Sequence, residues 1–227
     1  GKPDEAGDDV NESSCRSEAV LGTIVKKLCI SIFSTVFVLL APQLLVAKGD
    51  AAAGQAKSAL CATCHGADGN SELSVNPKIA GQKFNYIVKQ LQDYKSGARA
   101  NATMAAMVAA LSDEDIMDLA AWYSSQKVTL LGASLESLEL GEKIYRAGVR
   151  ELSVAACSAC HSPTGSGNAP AGFPSLSGQH PDYTLMQLKA FRAGERQNDS
   201  SAMMRSVVER LTDDELSALA NYVSGLN

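Results

Sequence analysis

"CATCH" at residues 61–65 returns as "CSACH" at 157–161, and what those two stretches bind decides how the chain folds. Each sets two thiols one helical turn apart and places an imidazole directly after the second: Cys61, Cys64 and His65, then Cys157, Cys160 and His161. Three chemistries compete for the pattern. Structural zinc wants two cysteine pairs closing on one ion at a short interval, whereas Cys64 and Cys157 stand 93 positions apart. Thiol redox wants Cys-x-x-Cys at a helix start in a domain with strands, and few strand patterns run through this chain. Covalent haem attachment spends the two thiols on thioether bonds and leaves the adjacent histidine as proximal iron ligand. The motif reading names this chemistry for Cys-x-x-Cys-His, and the histidine directly after the second cysteine decides for it, so the motifs predict two covalently bound haem c groups.

The duplication extends beyond the motifs. "GQKFNYIVKQLQDYKSGARAN" at 81–101 matches "GQHPDYTLMQLKAFRAGERQN" at 178–198, and "LSDEDIMDLAAWYSS" at 111–125 matches "LTDDELSALANYVSG" at 211–225. Two homologous domains follow, each with three main helical patterns. The first pattern opens near Gly54 or Gly141 and leads to the cysteines. The last opens on a capping box, Ser112 with Asp115 or Thr212 with Glu215. It continues through Ile116, Leu119, Ala120 and Tyr123, or Leu216, Leu219, Ala220 and Val223, the spacing of one buried helix face. The fold class expected is all-α: two tandem helical domains, each wrapped around one haem. Their bounds are 48–127 and 140–227, with residues 128–139 as a linker.

A haem iron held by one histidine has a second axial position to fill, and its occupant separates electron transfer from chemistry on a small molecule. Six methionines are candidates, and any one of them could be core filler. Aligning the last helices at Leu111 and Leu211 places Met104 on Met204, while Met107 falls on Val207, Met117 on Ser217 and Met203 on Thr103; Met186, in the preceding helix, falls on Lys89 when the two "GQ" stretches are matched. Met104 and Met204 are therefore the expected distal ligands, with soft thioether affinity as the chemical reason. His180 aligns with Lys83 and reads as a surface histidine. Pro77 and Pro174 follow the motif histidines by 12 and 13 residues. Either proline carbonyl could accept the other ring N–H of its histidine or simply belong to a turn.

Residues 26–47 combine two lysines, an apolar run and a Leu-Val-Ala ending, the layout of a secretory signal with cleavage after Ala47; a retained membrane anchor is the rival reading. Residues 1–24 are acidic and polar and do not resemble a signal's start. Of the six cysteines, Cys15 and Cys29 lie in this front segment, so a processed chain keeps only the four motif thiols. The chain carries 20 basic and 25 acidic residues, a net charge of −5; with residues 1–47 removed the acidic excess falls after residue 131, and no basic patch suggests nucleic acid.

Taken together, "CATCHGADGN", "PKIAGQ", "QLQDYKSGARAN", Met104 and "LSDEDIMDLAAWYSS", with their second-domain counterparts, closely resemble the cytochrome c4 family of diheme class I cytochromes c, over residues 48–227. The resemblance implies an electron shuttle of the periplasm, with a possible peripheral membrane association. It implies His65 with Met104 and His161 with Met204 at the two irons, with Pro77 and Pro174 behind the histidines. It also makes Tyr86, Tyr183, Arg99 and Arg196 candidates near the haem propionates, although an arginine on a helix is more often simply solvated. A quinol-oxidising cytochrome complex is the implied donor and a terminal oxidase the implied acceptor. Filled axial positions make the chain an electron-transfer protein rather than an enzyme. The rivals are the cytochrome subunit of a periplasmic dehydrogenase and, further off, a diheme peroxidase.

Overall fold

The computed structural model describes residues 49–227. The polar extension, the signal at 26–47 and the expected start at Lys48 lie outside the described residues. The first repeat holds α1 (Ala51–Lys57), α2 (Ala59–His65), α3 (Phe84–Ser96), α4 (Ala102–Val108) and α5 (Asp113–Ser125). The second holds α6 (Leu138–Ala147), α7 (Ser158–His161), α8 (Pro181–Arg192), α9 (Met203–Val208) and α10 (Asp213–Ser224), with 3₁₀ turns at Arg150–Leu152 and Ser200–Ala202. Among the described residues extended pairing is limited to two isolated bridges, Val149 with Val154 and Asn168 with Phe173.

Local chemistry explains where the helices begin and end. In both repeats the last helix opens on the reciprocal capping box: Ser112 and Asp115, then Thr212 and Glu215, exchange side-chain and backbone hydrogen bonds, which satisfies two orphan donors at each N-terminus. α3 stops at Gly97, whose left-handed φ of 81° a glycine adopts without strain. α8 starts with Pro181 in its first turn, where a missing N–H costs nothing. The second repeat enters α9 less comfortably, through Ser201 and Ala202, both left-handed with φ of 53° and 55°.

The three expected patterns per repeat become five helices because the first pattern divides in two, α1 and α2 or α6 and α7, and the methionine stretches form short helices of their own, α4 and α9. Each is too brief to show a periodic signature. In each repeat the first helix crosses the last at a glycine. A Cβ on Gly54 would meet the carbonyl oxygen of Asp118 at 2.0 Å, and one on Gly141 that of Ala218 at 2.2 Å; only a bare Cα allows the crossing. Ile116, Leu119, Ala120 and Tyr123 on α5 are buried, as are Leu216, Leu219, Ala220 and Val223 on α10. Those faces close the two hydrophobic cores.

Residues 126–137 run without helix, and α6 begins at Leu138. The stretch is strapped first to one repeat and then to the other. Thr129 donates its N–H to Asn70 Oδ1 at 2.8 Å and receives Lys78 Nζ on its hydroxyl at 2.9 Å. Ser134 then donates its N–H to Asn221 Oδ1 at 2.8 Å, and Asn221 returns its amide to Ser134 O at 2.9 Å.

The repeats also meet through side chains that coincide in the alignment. Arg99 donates to Tyr183 Oη (3.0 Å) and Gln187 Oε1 (2.7 Å) of the second repeat, while Arg196 donates to Tyr86 Oη (3.0 Å) and Gln90 Oε1 (3.0 Å) of the first. Each guanidinium also bonds the glutamine of its own repeat, Arg99 to Gln90 and Arg196 to Gln187, both at 2.8 Å. Each lies over an aromatic ring of its own repeat, Tyr94 or Phe191. Both arginines are buried, so the solvated alternative fails: they lie in the loops just after α3 and α8 and face the other repeat. His180 is likewise not on the surface. It is 7% exposed and its Nε2 lies 2.8 Å from Ser71 O across the interface. The sequence pattern missed this because the contact joins residues 109 apart.

Candidate haem sites

His65 ends α2 and His161 ends α7, and the next residues, Gly66 and Ser162, turn away with positive φ. Both rings are buried, at 8% and 6% exposure. Their Nδ1 atoms lie 2.9 Å from Pro77 O and 2.9 Å from Pro174 O. A carbonyl can only accept, so Nδ1 carries the proton and the Nε2 lone pair is left for a metal. Burial holds both histidines below the ordinary imidazole pKa, which favours the neutral form that ligation requires. Of the two readings of Pro77 and Pro174, the contact with the histidine is the one the geometry contains.

The loops that carry these carbonyls are tied to the motifs. Ser71 Oγ and Asn76 Nδ2 both donate to Cys64 O, at 3.0 and 3.2 Å, and Tyr145 Oη donates to Ser162 O at 2.6 Å. Cys61, Cys64, Cys157 and Cys160 form no disulfide with one another. Burial raises the pKa of Cys61 and pushes Cys157 up to about 11. Catalytic redox cysteines need the reverse, a thiolate stabilised at neutral pH. Among the described residues no three His, Cys, Asp or Glu side chains converge to hold a bare metal ion. Paired thiols, a neutral imidazole with one oriented lone pair and an apolar surround fit a porphyrin that brings its own iron and four nitrogens.

Met104 lies in the first turn of α4, where its N–H donates to the capping Asn101 Oδ1 at 2.9 Å. Met204 lies in the first turn of α9 and packs against the second core, beside Val207 and Leu188. Both are half-buried, whereas Met107, Met186 and Met203 are 37%, 46% and 39% exposed. The sequence reading passed over Gln82 and Gln179. The only signal was a repeated "GQ" at 81–82 and 178–179, with nothing to separate an interface contact from a turn.

Two helical repeats, each with a haem-attachment motif at the end of a short helix and a proline carbonyl behind its histidine, define a diheme class I c-type cytochrome. Residues 138–227 match the family described as cytochrome c, and residues 49–122 match cytochrome c oxidase, cbb3-type, subunit III. Cytochrome c4 of Azotobacter vinelandii is 45% identical over 191 residues, covering 80% of this chain and 91% of that protein. The crystal structure of reduced recombinant cytochrome c4 from Pseudomonas stutzeri superposes with a TM-score of 0.77 at 44% identity, covering 79% of this chain and 100% of that one. The thiosulfate dehydrogenase electron acceptor of Stutzerimonas stutzeri A1501 is 38% identical over 170 residues, covering 73% of this chain and 78% of that protein. The chain belongs to the cytochrome c4 family. It carries two covalent haem c groups, on Cys61 and Cys64 and on Cys157 and Cys160, and it is an electron carrier, not an enzyme.

Proposed function

We propose that the chain passes single electrons in the periplasm from a quinol-oxidising cytochrome complex to a terminal oxidase, with His65 and Met104 on one iron and His161 and Met204 on the other. The observation that carries this reading is that both repeats present the same set. Each has a buried neutral histidine held by a proline carbonyl 2.9 Å away and a half-buried methionine at the start of a short helix. The haem supplies ferric/ferrous chemistry; the chain's part is to hold two fixed axial donors, which keeps rearrangement on electron transfer small and denies the iron to oxygen or peroxide. A thioether ligand raises the potential, which suits a place late in a respiratory chain. Arg99 and Arg196, buried cations whose side-chain partners are neutral glutamine, tyrosine and asparagine groups, are the groups to offset haem propionates. Among the described residues no helix is long and apolar enough to cross a membrane, so attachment to a membrane surface would rest on the front segment or on partners.

A second reading has support from the 38% identical relative named as a thiosulfate dehydrogenase electron acceptor: donation by a dehydrogenase instead of a quinol-oxidising complex. Stopped-flow mixing of the oxidised diheme protein with each donor separates them. Fast reduction by the quinol-oxidising complex, followed by reoxidation on membranes holding a terminal oxidase, is the expected result. Rapid reduction by a thiosulfate dehydrogenase with thiosulfate, and slow reduction by the complex, would move the protein to the second pathway.

A further inference from the structure

The peptide group that joins Pro77 to Lys78 has both ends engaged. Its carbonyl accepts from His65 Nδ1 at 2.9 Å, and its N–H donates to Gln179 Oε1, in the other repeat, at 2.9 Å. Gln179 Nε2 then donates to Lys78 O at 2.8 Å, so one side-chain amide grips residue 78 twice. The second repeat has the counterpart. The Pro174–Ser175 peptide accepts from His161 Nδ1 at 2.9 Å and donates to Gln82 Oε1 at 2.8 Å, while Gln82 Nε2 donates to Ser175 O at 2.9 Å. Each glutamine oxygen also accepts the N–H of the next residue, Lys83 at 2.8 Å or His180 at 3.0 Å. Those contacts fix which end of each amide is oxygen, because a flipped amide would face two N–H donors with its own NH₂.

We propose that Gln82 and Gln179 are positioning residues that act across the interface, each setting the ligand strength of the histidine in the opposite repeat. The peptide group is conjugated, so an acceptor at its N–H draws charge towards its carbonyl oxygen. Hydrogen bonds in such a chain polarise one another. A more negative carbonyl binds the histidine Nδ1–H more tightly and makes Nε2 a stronger donor, as partners behind a ligating histidine do generally. A stronger donor favours ferric iron. Gln179 therefore lowers the potential of the first haem and Gln82 that of the second. Closing the interface tunes both irons at once, and loosening one contact acts on the far site.

This rests on His65 and His161 being iron ligands, and the test keeps the two ideas apart. The full haem-loaded chain, labelled with ¹⁵N-histidine, is studied by NMR in the ferrous state and by potentiometric titration. Gln179→Leu should move the His65 Nδ1–H resonance upfield and raise the first haem's ferrous-to-ferric ratio about threefold at fixed potential, about 30 mV at 59 mV per tenfold. The second haem should stay unmoved, and Gln82→Leu should give the reverse pattern. Gln179→Glu and Gln82→Glu keep the acceptor oxygen and should lower the far potential instead; they also serve if a leucine variant does not fold. A shift confined to the mutated repeat, equal shifts at both haems, or none would overturn the proposal. Native spectra without histidine-ligated low-spin iron would instead sink the ligand reading beneath it.

Discussion

At the scale of single residues, the duplication did the work that homologous sequences usually do. The covalent attachment cysteines Cys61, Cys64, Cys157 and Cys160 were legible because a local spacing carries their chemistry, and Met104 with Met204 were singled out as ligand candidates because only one methionine position coincides in the two halves. Met104→Ala should abolish one of two methionine-to-ferric charge-transfer bands while both haems stay attached, since the thiols are untouched, and ferrous carbon monoxide binding should rise at that site. Met107→Ala should leave spectrum and binding as they were, in keeping with its 37% exposure. The reverse outcome would mean the alignment picked the wrong thioether. His180 was misread at this scale because a lone histidine carries no local signal of burial; its partner, Ser71 O, is 109 residues away.

At the scale of elements, capping and periodicity located the long helices, since both are local effects acting within one or two turns. α4 and α9 escaped because they hold seven and six residues, too few for a period to register. The glycine crossings were visible as residues but not as contacts. Gly54→Ala and Gly141→Ala should each destabilise the protein by about 1–3 kcal/mol, the usual cost of forcing extra atoms into a packed site. Here the obstacle is backbone, a carbonyl oxygen 2.0 or 2.2 Å from the new Cβ, and cannot turn aside. Denaturant unfolding followed through the haem bands measures the loss. If Gly54→Ala unfolded at the native midpoint, helix α1 would have to sit further from α5 than described.

At the scale of the whole molecule, the two repeats are joined by their own repeated residues, and Arg99 and Arg196 share Gln90 and Gln187. Arg99→Met and Arg196→Met should each cost about 1–3 kcal/mol by leaving buried acceptors unmet. The double variant should cost less than their sum, with a coupling of about 0.5–3 kcal/mol, because groups in one network fail together. Strict additivity in denaturant unfolding would deny the network. By itself the sequence determined the covalent haem sites, the twofold repeat and the helical class, because thiol spacing, helix caps and amphipathic periods act between residues close along the chain. The tertiary structure alone decided that Arg99, Arg196, Gln82, Gln179 and His180 serve the interface. Each polar group there is paired with one roughly 85–110 positions away, and burial forces such pairing without any local pattern naming the partner.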